Sequence, residues 1–343
     1  MLLVLSLTFV LAPVSAPLPP QVLPPPTVGP ATLPTTARRR WDATGHRAMA
    51  AIAYDRLSAG TRRRVDSLLR VHPDLDSLAV NVDVSTAVGV RELFLRLSVW
   101  PDRIRRDRRF FDELNPNAVP TPLLPGFPSM ASRATWHYLP RSFSTDGTPT
   151  QVLTAPNAVT VMPAFADALA DRGIPASVRA YGLGWLVHVI GDLHQPLHGI
   201  SRASAAHPNG DAGGNAEWVQ IGPAALDTSN LHAVWDGMLR RTARDVPLDQ
   251  LAQELAVQLP LDSASADVHM PQGADFADVV QRWADESATL ARYAAYAFPT
   301  RTAGGPPPRL SDAYLSLAGD IARERITLAA YRLTALLEAR LAP

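Results

Sequence analysis

One stretch constrains the fold more than any other: Gly184 to Gly199, which reads GWLVHVIGDLHQPLHG. Trp185, Leu186, Val187, Val189, Ile190 and Leu193 are apolar on nearly every side, so the segment reads as a buried helix. His188 and Asp192 lie four residues apart and share one face of that helix. An imidazole and a carboxylate taken out of water need partners. Pro196 ends the helix, and His198 follows just past the break, where the turning chain can aim it at the same spot. Close-set nitrogen and oxygen ligands in a buried place point to a metal site.

Composition narrows the chemistry. With 343 residues, 47% hydrophobic, the chain is long enough for one large domain or two smaller ones. No cysteine is present, which excludes thiolate zinc sites, thiol nucleophiles and disulfides. All 32 basic residues are arginine, so Schiff-base catalysis and the phosphate-loop lysine of nucleotide hydrolases are excluded as well. The formal net charge is zero, which argues against coating of a nucleic-acid duplex. Residues 1–16 read as a signal peptide, with Leu2 to Val14 its apolar core. Residues 17–40 read as a proline-rich unstructured segment, and residues 41–343 as the folded domain.

Along that domain the helical period dominates. Helices are expected over Thr44–Leu57, Ala59–Val71, Thr86–Ser98 and Asn157–Arg172, the last with a kink at Pro163. The central one runs from Pro175 to Gln195, and another from Ser229 to Arg240, capped by Asn230 or Ser229. Phe276, Val279, Val280, Trp283, Leu290 and Tyr293 mark one amphipathic face. Ser311–Leu341 closes the chain, with Ile321, Ile326, Leu328, Leu333 and Leu337 buried. Residues Asn115 to Pro156 read as a long irregular loop around the apolar island TWHYLP. Ala216–Ile221 is one arm of a small hairpin. The fold class is therefore all-α: a single multi-helix domain with at most a small β-hairpin.

Three places repeat one chemical theme. The central helix offers His188, Asp192 and, past its end, His198; NLHAVWDG offers His232 and Asp236, again four apart. Upstream, His46, Asp102 and His137 sit at helix ends or in the loop island. A lone His-x-x-x-Asp pair is more often a hydrogen-bonded core or surface pair; two such pairs and a histidine beyond a proline shift the balance to metal. Nitrogen and oxygen donors without sulfur suit catalytic zinc. His194, two residues after Asp192, points elsewhere on the helix, and His72, His207 and His269 match no pattern. The arginines from Arg103 to Arg109 read as a solvated face, except Arg105, three residues from Asp102.

Taken together, WDATGH, SVWPDRIR, TWHYLP, HVIGDLHQPLH, DAGGN, NLHAVWD, QRWADES and AAYRL resemble, in order and separation, the S1/P1 nucleases, zinc-dependent relatives of bacterial phospholipase C. The resemblance covers residues 41 to 343 and is to the bacterial type, since the disulfides of the fungal enzymes are missing. It implies three Zn2+ ions. Asp102, His137, His188 and Asp192 would hold the first. Trp41, through a free α-amine and its carbonyl, and His46 would hold the second, with Asp192 bridging; His198, His232 and Asp236 would hold the third. It further implies Arg105 on the phosphoryl oxygens, Tyr138 stacked on a base and Asn215 hydrogen-bonded to that base.

The implied activity is hydrolysis of single-stranded DNA or RNA, or of a nucleotide, to 5′-phosphorylated products by a secreted or periplasmic monomer. No stable protein partner and no membrane insertion after processing are implied. The free amine requires that processing leave Trp41 first. Pro140 stands where many relatives carry a carboxylate three residues after the loop histidine, which opens a preference for 3′-mononucleotides. Rival readings are a phospholipase C-like phosphodiesterase and a non-catalytic zinc-binding exported protein. Assays on nucleic acid and on phosphatidylcholine separate them.

Overall fold

The computed structural model describes residues 43–139, 141–150, 156–224, 226–260, 268, 275–298 and 305–342. Twelve α-helices lie among the described residues. They are α1 Ala43–Arg56, α2 Ala59–Leu69, α3 Leu75–Leu78, α4 Ala87–Leu97, α5 Trp100–Ile104 and α6 Ala158–Ala170. After them come α7 Ala176–His194, α8 Leu231–Asp236, α9 Met238–Thr242, α10 Leu248–Gln258, α11 Phe276–Leu290 and α12 Asp312–Leu341. None of the described helices is long and apolar enough to cross a membrane.

Helix α7 is the axis of the fold. Every residue from Ala180 to His194 is buried, because α1, α2, α5, α6, α11 and α12 all pack against it. No polar face is left for solvent, as expected of a helix apolar on all sides. Helix α1 is surrounded in the same way. Ala48, Ala50, Ala51 and Ala53 are fully buried, and their small side chains let α1 lie close to its neighbours. That approach carries His46 to α7. Behind the central histidines, Trp100, Trp136, Tyr181 and Trp185 meet edge to face and keep the interior dry.

Local chemistry sets the helix ends. Asn157 and Thr160 form a capping box at the start of α6, which runs on through Pro163. Ser58, Asn230 and Ser311 cap α2, α8 and α12 with their side chains. The helix expected over Ser229–Arg240 is divided: Ser229 and Asn230 belong to a strand, and Gly237 separates α8 from α9. In α12, Ile326, Leu328, Leu333 and Leu337 are buried as expected, while Ile321 is half-buried.

Tyr293 departs from its expected face and is 79% exposed. Residues Ala291–Ala295 form a π-turn at the end of α11, and the wider turn carries Tyr293 off the apolar stripe.

The β structure is small. Strands β3 (Trp218–Gln220) and β4 (Thr228–Asn230) make the antiparallel hairpin. A second pair, β1 (Ser142–Ser144) and β2 (Ser201–Ala203), is parallel, with Phe143 opposite Arg202. It was not expected within the irregular loop, because three-residue strands nearly sixty positions apart carry no periodic signal. Its consequence is local: Leu139 N donates to the His198 carbonyl and Ser201 N to the Arg141 carbonyl, both at 2.8 Å. The TWHYLP island is thereby tied to the segment that follows α7.

Candidate metal centre

Asp192 is the meeting point. Its Oδ2 lies 3.0 Å from both His137 Nδ1 and His188 Nε2. Its Oδ1 lies 3.4 Å from both His46 Nε2 and His198 Nδ1. Asp102 Oδ1 is 3.8 Å from His137 Nδ1. A second carboxylate, Asp236, faces His232 Nε2 at 3.3 Å and His198 Nε2 at 3.7 Å. Apart from Asp102, all of these side chains are almost wholly buried.

Six elements deliver them. His46 comes from α1, Asp102 from α5, and His137 from the 3-10 turn Ala134–His137. His188 and Asp192 share one face of α7, one turn apart; His232 and Asp236 do the same on α8. His198 ends the 3-10 turn Pro196–His198 that Pro196 starts. Gly191 makes room: a Cβ there would lie 2.7 Å from His46 Nδ1. His46 and His188 stack with ring centroids 4.1 Å apart, and His198 and His232 stack at 4.9 Å.

The hydrogen bonds fix which nitrogens are left to coordinate. His188 Nδ1 donates to the Ser98 carbonyl at 2.7 Å, His198 Nδ1 to the His137 carbonyl at 2.8 Å, and His232 Nδ1 to the Gly213 carbonyl at 2.7 Å. In each neutral ring the proton sits on Nδ1 and the Nε2 lone pair points at a carboxylate. Lone pair facing lone pair is repulsive unless a cation lies between them. Both nitrogens of His46, Nε2 of His137 and of His198, and Oδ2 of Asp236 have no hydrogen-bond partner although buried. Such orphans are costly in a core and point to an ion.

The titration behaviour agrees. Burial lowers His46 and brings His137 down to about 4. Burial also opposes charge on His188 and His198, yet Asp192 beside them holds His188 above its ordinary value, and with Asp236 holds His198 up to about 9. Asp192 is held well below the usual carboxylate range by the His188 and His198 charges, against the effect of burial. The pocket draws positive charge, but burial keeps His46 and His137 from supplying it as protons.

Three groups of donor atoms are close enough to hold an ion: His46, Asp102 and His188; His137, His188 and Asp192; and His198, His232 and Asp236. The residues present fit zinc, which takes imidazole nitrogen and carboxylate oxygen at a few protein ligands per ion. The third group is the set expected for the third ion. In the other two His188 is shared, and His46 stands near Asp102 as well as Asp192.

The remaining candidates lie around this cluster. Arg105 is half-buried and caps the C-terminal end of α5. Tyr138 directly follows His137 and is 37% exposed. Asn215 is exposed, and its Nδ2 donates to the Ala212 carbonyl at 2.9 Å, closing its own turn. Trp41, Pro140 and His269 lie outside the described residues. His194 turns away: Nδ1 bonds the Ile190 carbonyl and Nε2 accepts from Arg332 at 2.8 Å.

Sequence reasoning missed Gln195. This buried side chain donates from Nε2 to Asp236 Oδ1 at 2.7 Å, while its Oε1 accepts from Leu197 N. Its place beside Pro196 was a signal that the motif reading passed over.

The sequence model of the S1/P1 Nuclease family matches residues 41–342. No curated protein matches the chain. The matched span contains every described side chain of the cluster. Members of this family are zinc-dependent hydrolases of phosphodiester bonds. A match over nearly the whole length, with the buried nitrogen and oxygen donors gathered about Asp192, means that the chain belongs to the S1/P1 nuclease family.

Proposed function

We propose that the protein is a three-zinc phosphodiesterase that cleaves single-stranded DNA or RNA and leaves 5′-phosphorylated products. The observation that carries this reading is the set of buried histidine lone pairs aimed at Asp192 and Asp236. Asp102, His137, His188 and Asp192 would hold the first ion; His46, Asp192 and the α-amine of a processed Trp41 the second; His198, His232 and Asp236 the third. Bound zinc supplies Lewis acidity, lowering the pKa of water towards about 7 and offsetting charge at the phosphoryl group.

The chain's own residues supply the rest. Asp192 turns one oxygen to His137 and His188 and the other to His46 and His198, so it can serve two ions at once. The Arg105 guanidinium binds non-bridging phosphoryl oxygens through its planar fork. The exposed Tyr138 ring stacks on an unpaired base, which any base allows and a duplex denies. Asn215, with Nδ2 committed to its turn, offers Oδ1 to that base. An ion held by the third group would offset charge on the departing 3′ oxygen. Pro140 stands in the sequence where many relatives carry a carboxylate, and 3′-mononucleotides are accepted as well.

Residues 1–16 are read as an export signal and 17–40 as a segment removed before activity. The mature protein is then secreted or periplasmic, monomeric and active without a partner.

The test is Asp192→Asn. The variant keeps the side-chain volume but loses the charge. It should lose more than about 100-fold in hydrolysis of single-stranded DNA, together with bound zinc measured by metal analysis. Full zinc content with unchanged turnover would end the reading. Hydrolysis of phosphatidylcholine in place of nucleic acid would redirect it.

A further inference from the structure

Helix α11 does not end as an α-helix. The π-turn Ala291–Ala295 is closed by Tyr296 N donating to the Ala291 carbonyl at 2.9 Å. At about 3.6 residues per turn, Tyr296 would point away from the face that carries Phe276 and Trp283. The wider turn slows the rotation and swings it inward. There the ring packs beside Phe143, with centroids 5.3 Å apart, and 4.7 Å from the Arg202 guanidinium. The hydroxyl donates to Asp211 Oδ1 at 2.9 Å. Burial, with the Asp211 charge next to it, holds this phenol well above its ordinary value, so the donor is kept. Single π-turns are frequent at functional sites.

Asp211 is fully buried and organises the turn that follows it. Its Oδ1 also accepts from Ser201 Oγ at 3.0 Å and Arg202 N at 2.9 Å. Asp211 N donates to the Arg202 carbonyl, and Ala216 N to the Asp211 carbonyl, both at 3.0 Å. Between these anchors, Ala212, Gly213 and Gly214 take φ of 53°, 63° and 82°. Left-handed backbone at an alanine persists only when its surroundings hold it. The product of that geometry is a pair of aimed carbonyls. Gly213 O accepts His232 Nδ1 at 2.7 Å, and Gly214 O accepts His232 N at 3.2 Å.

We propose that Tyr296 is a positioning residue for the His198, His232 and Asp236 group, acting through Asp211 on the turn that orients the His232 ring. The proposal rests on the zinc reading above. Neither residue touches the ion; they set the tautomer and direction of the imidazole that does.

The experiment is Tyr296→Phe in the full mature chain, with zinc release followed against graded chelator and melting followed in parallel. The variant should release one zinc equivalent about 10- to 100-fold more readily, and the others as in the parent. Asp211→Asn, which keeps an accepting oxygen, should behave closer to the parent than Asp211→Ala. A release profile identical to the parent overturns the proposal. So does an equal weakening of every equivalent, which would mark a general structural role. A parent protein that binds no zinc would instead overturn the zinc reading itself.

Discussion

Asp236 offers two oxygens, and Gln195 already holds one of them at 2.7 Å. The other faces His232 and accepts no hydrogen bond. Replacing Gln195 with Ala leaves Asp236 Oδ1 without its donor, at a cost of about 1–3 kcal/mol in unfolding free energy. Zinc affinity should fall about 10- to 100-fold, measured by competition with a chelator; unchanged affinity would show that Gln195 does not orient Asp236. Gly191 works by having no side chain. Gly191→Ala gains up to about 1 kcal/mol of helix propensity, yet its Cβ would sit 2.7 Å from His46 Nδ1 and displace that ring. The variant should bind less zinc, and with chelator present it should melt close to the chelated parent. Zinc binding at parental strength would mean that His46 is not held where the geometry puts it.

At the scale of elements, α11 and α12 are joined behind α7 by one acidic side chain. Glu286 accepts from Arg325 at 2.9 Å and from Arg332 at 2.7 and 2.8 Å, while both arginines are buried. Arg325 Nε also reaches the His194 carbonyl at the end of α7, so this brace supports the turn that leads to His198. Burial opposes ionisation of Glu286, but the two arginines hold its carboxyl below the ordinary value. A lowered folded value stabilises the fold above the unfolded pKa, about 4.3, and the contribution is lost as pH falls through the folded value. Glu286→Gln should therefore cost about 1–2 kcal/mol at pH 7, less than a fully buried pair because the Glu286 side chain is 37% exposed. The gap in melting temperature should narrow as pH falls below the unfolded value and close once it is below the folded one. A gap that persists there would assign the loss to packing instead of charge.

For the whole molecule, residues from six elements meet with their donor atoms turned on one another. The metal-free fold leaves these donors gathered with no cation among them, so removal of metal by a chelator should lower the melting temperature. Zinc restored to about 100 times its dissociation constant should return about 2.7 kcal/mol per site. Equal melting with and without chelator would mean that the ions contribute nothing to the fold.

Much of this architecture was legible before any coordinates. The buried central helix shows in its unbroken apolar surround, and its stop at Gln195 follows from Pro196. The pairs His188–Asp192 and His232–Asp236 share a face by helical period alone. What lay beyond the sequence depends on contacts between distant segments. The parallel strand pair that sets His137 beside His198, the π-turn that buries Tyr296 and exposes Tyr293, and the Arg202–Glu217 ion pair have no local period to betray them. Spacing along a helix reports which side chains share a face, because backbone geometry repeats. Which faces then meet, and how closely, is decided by packing, and only the tertiary structure brings His46, Asp102 and His137 to Asp192.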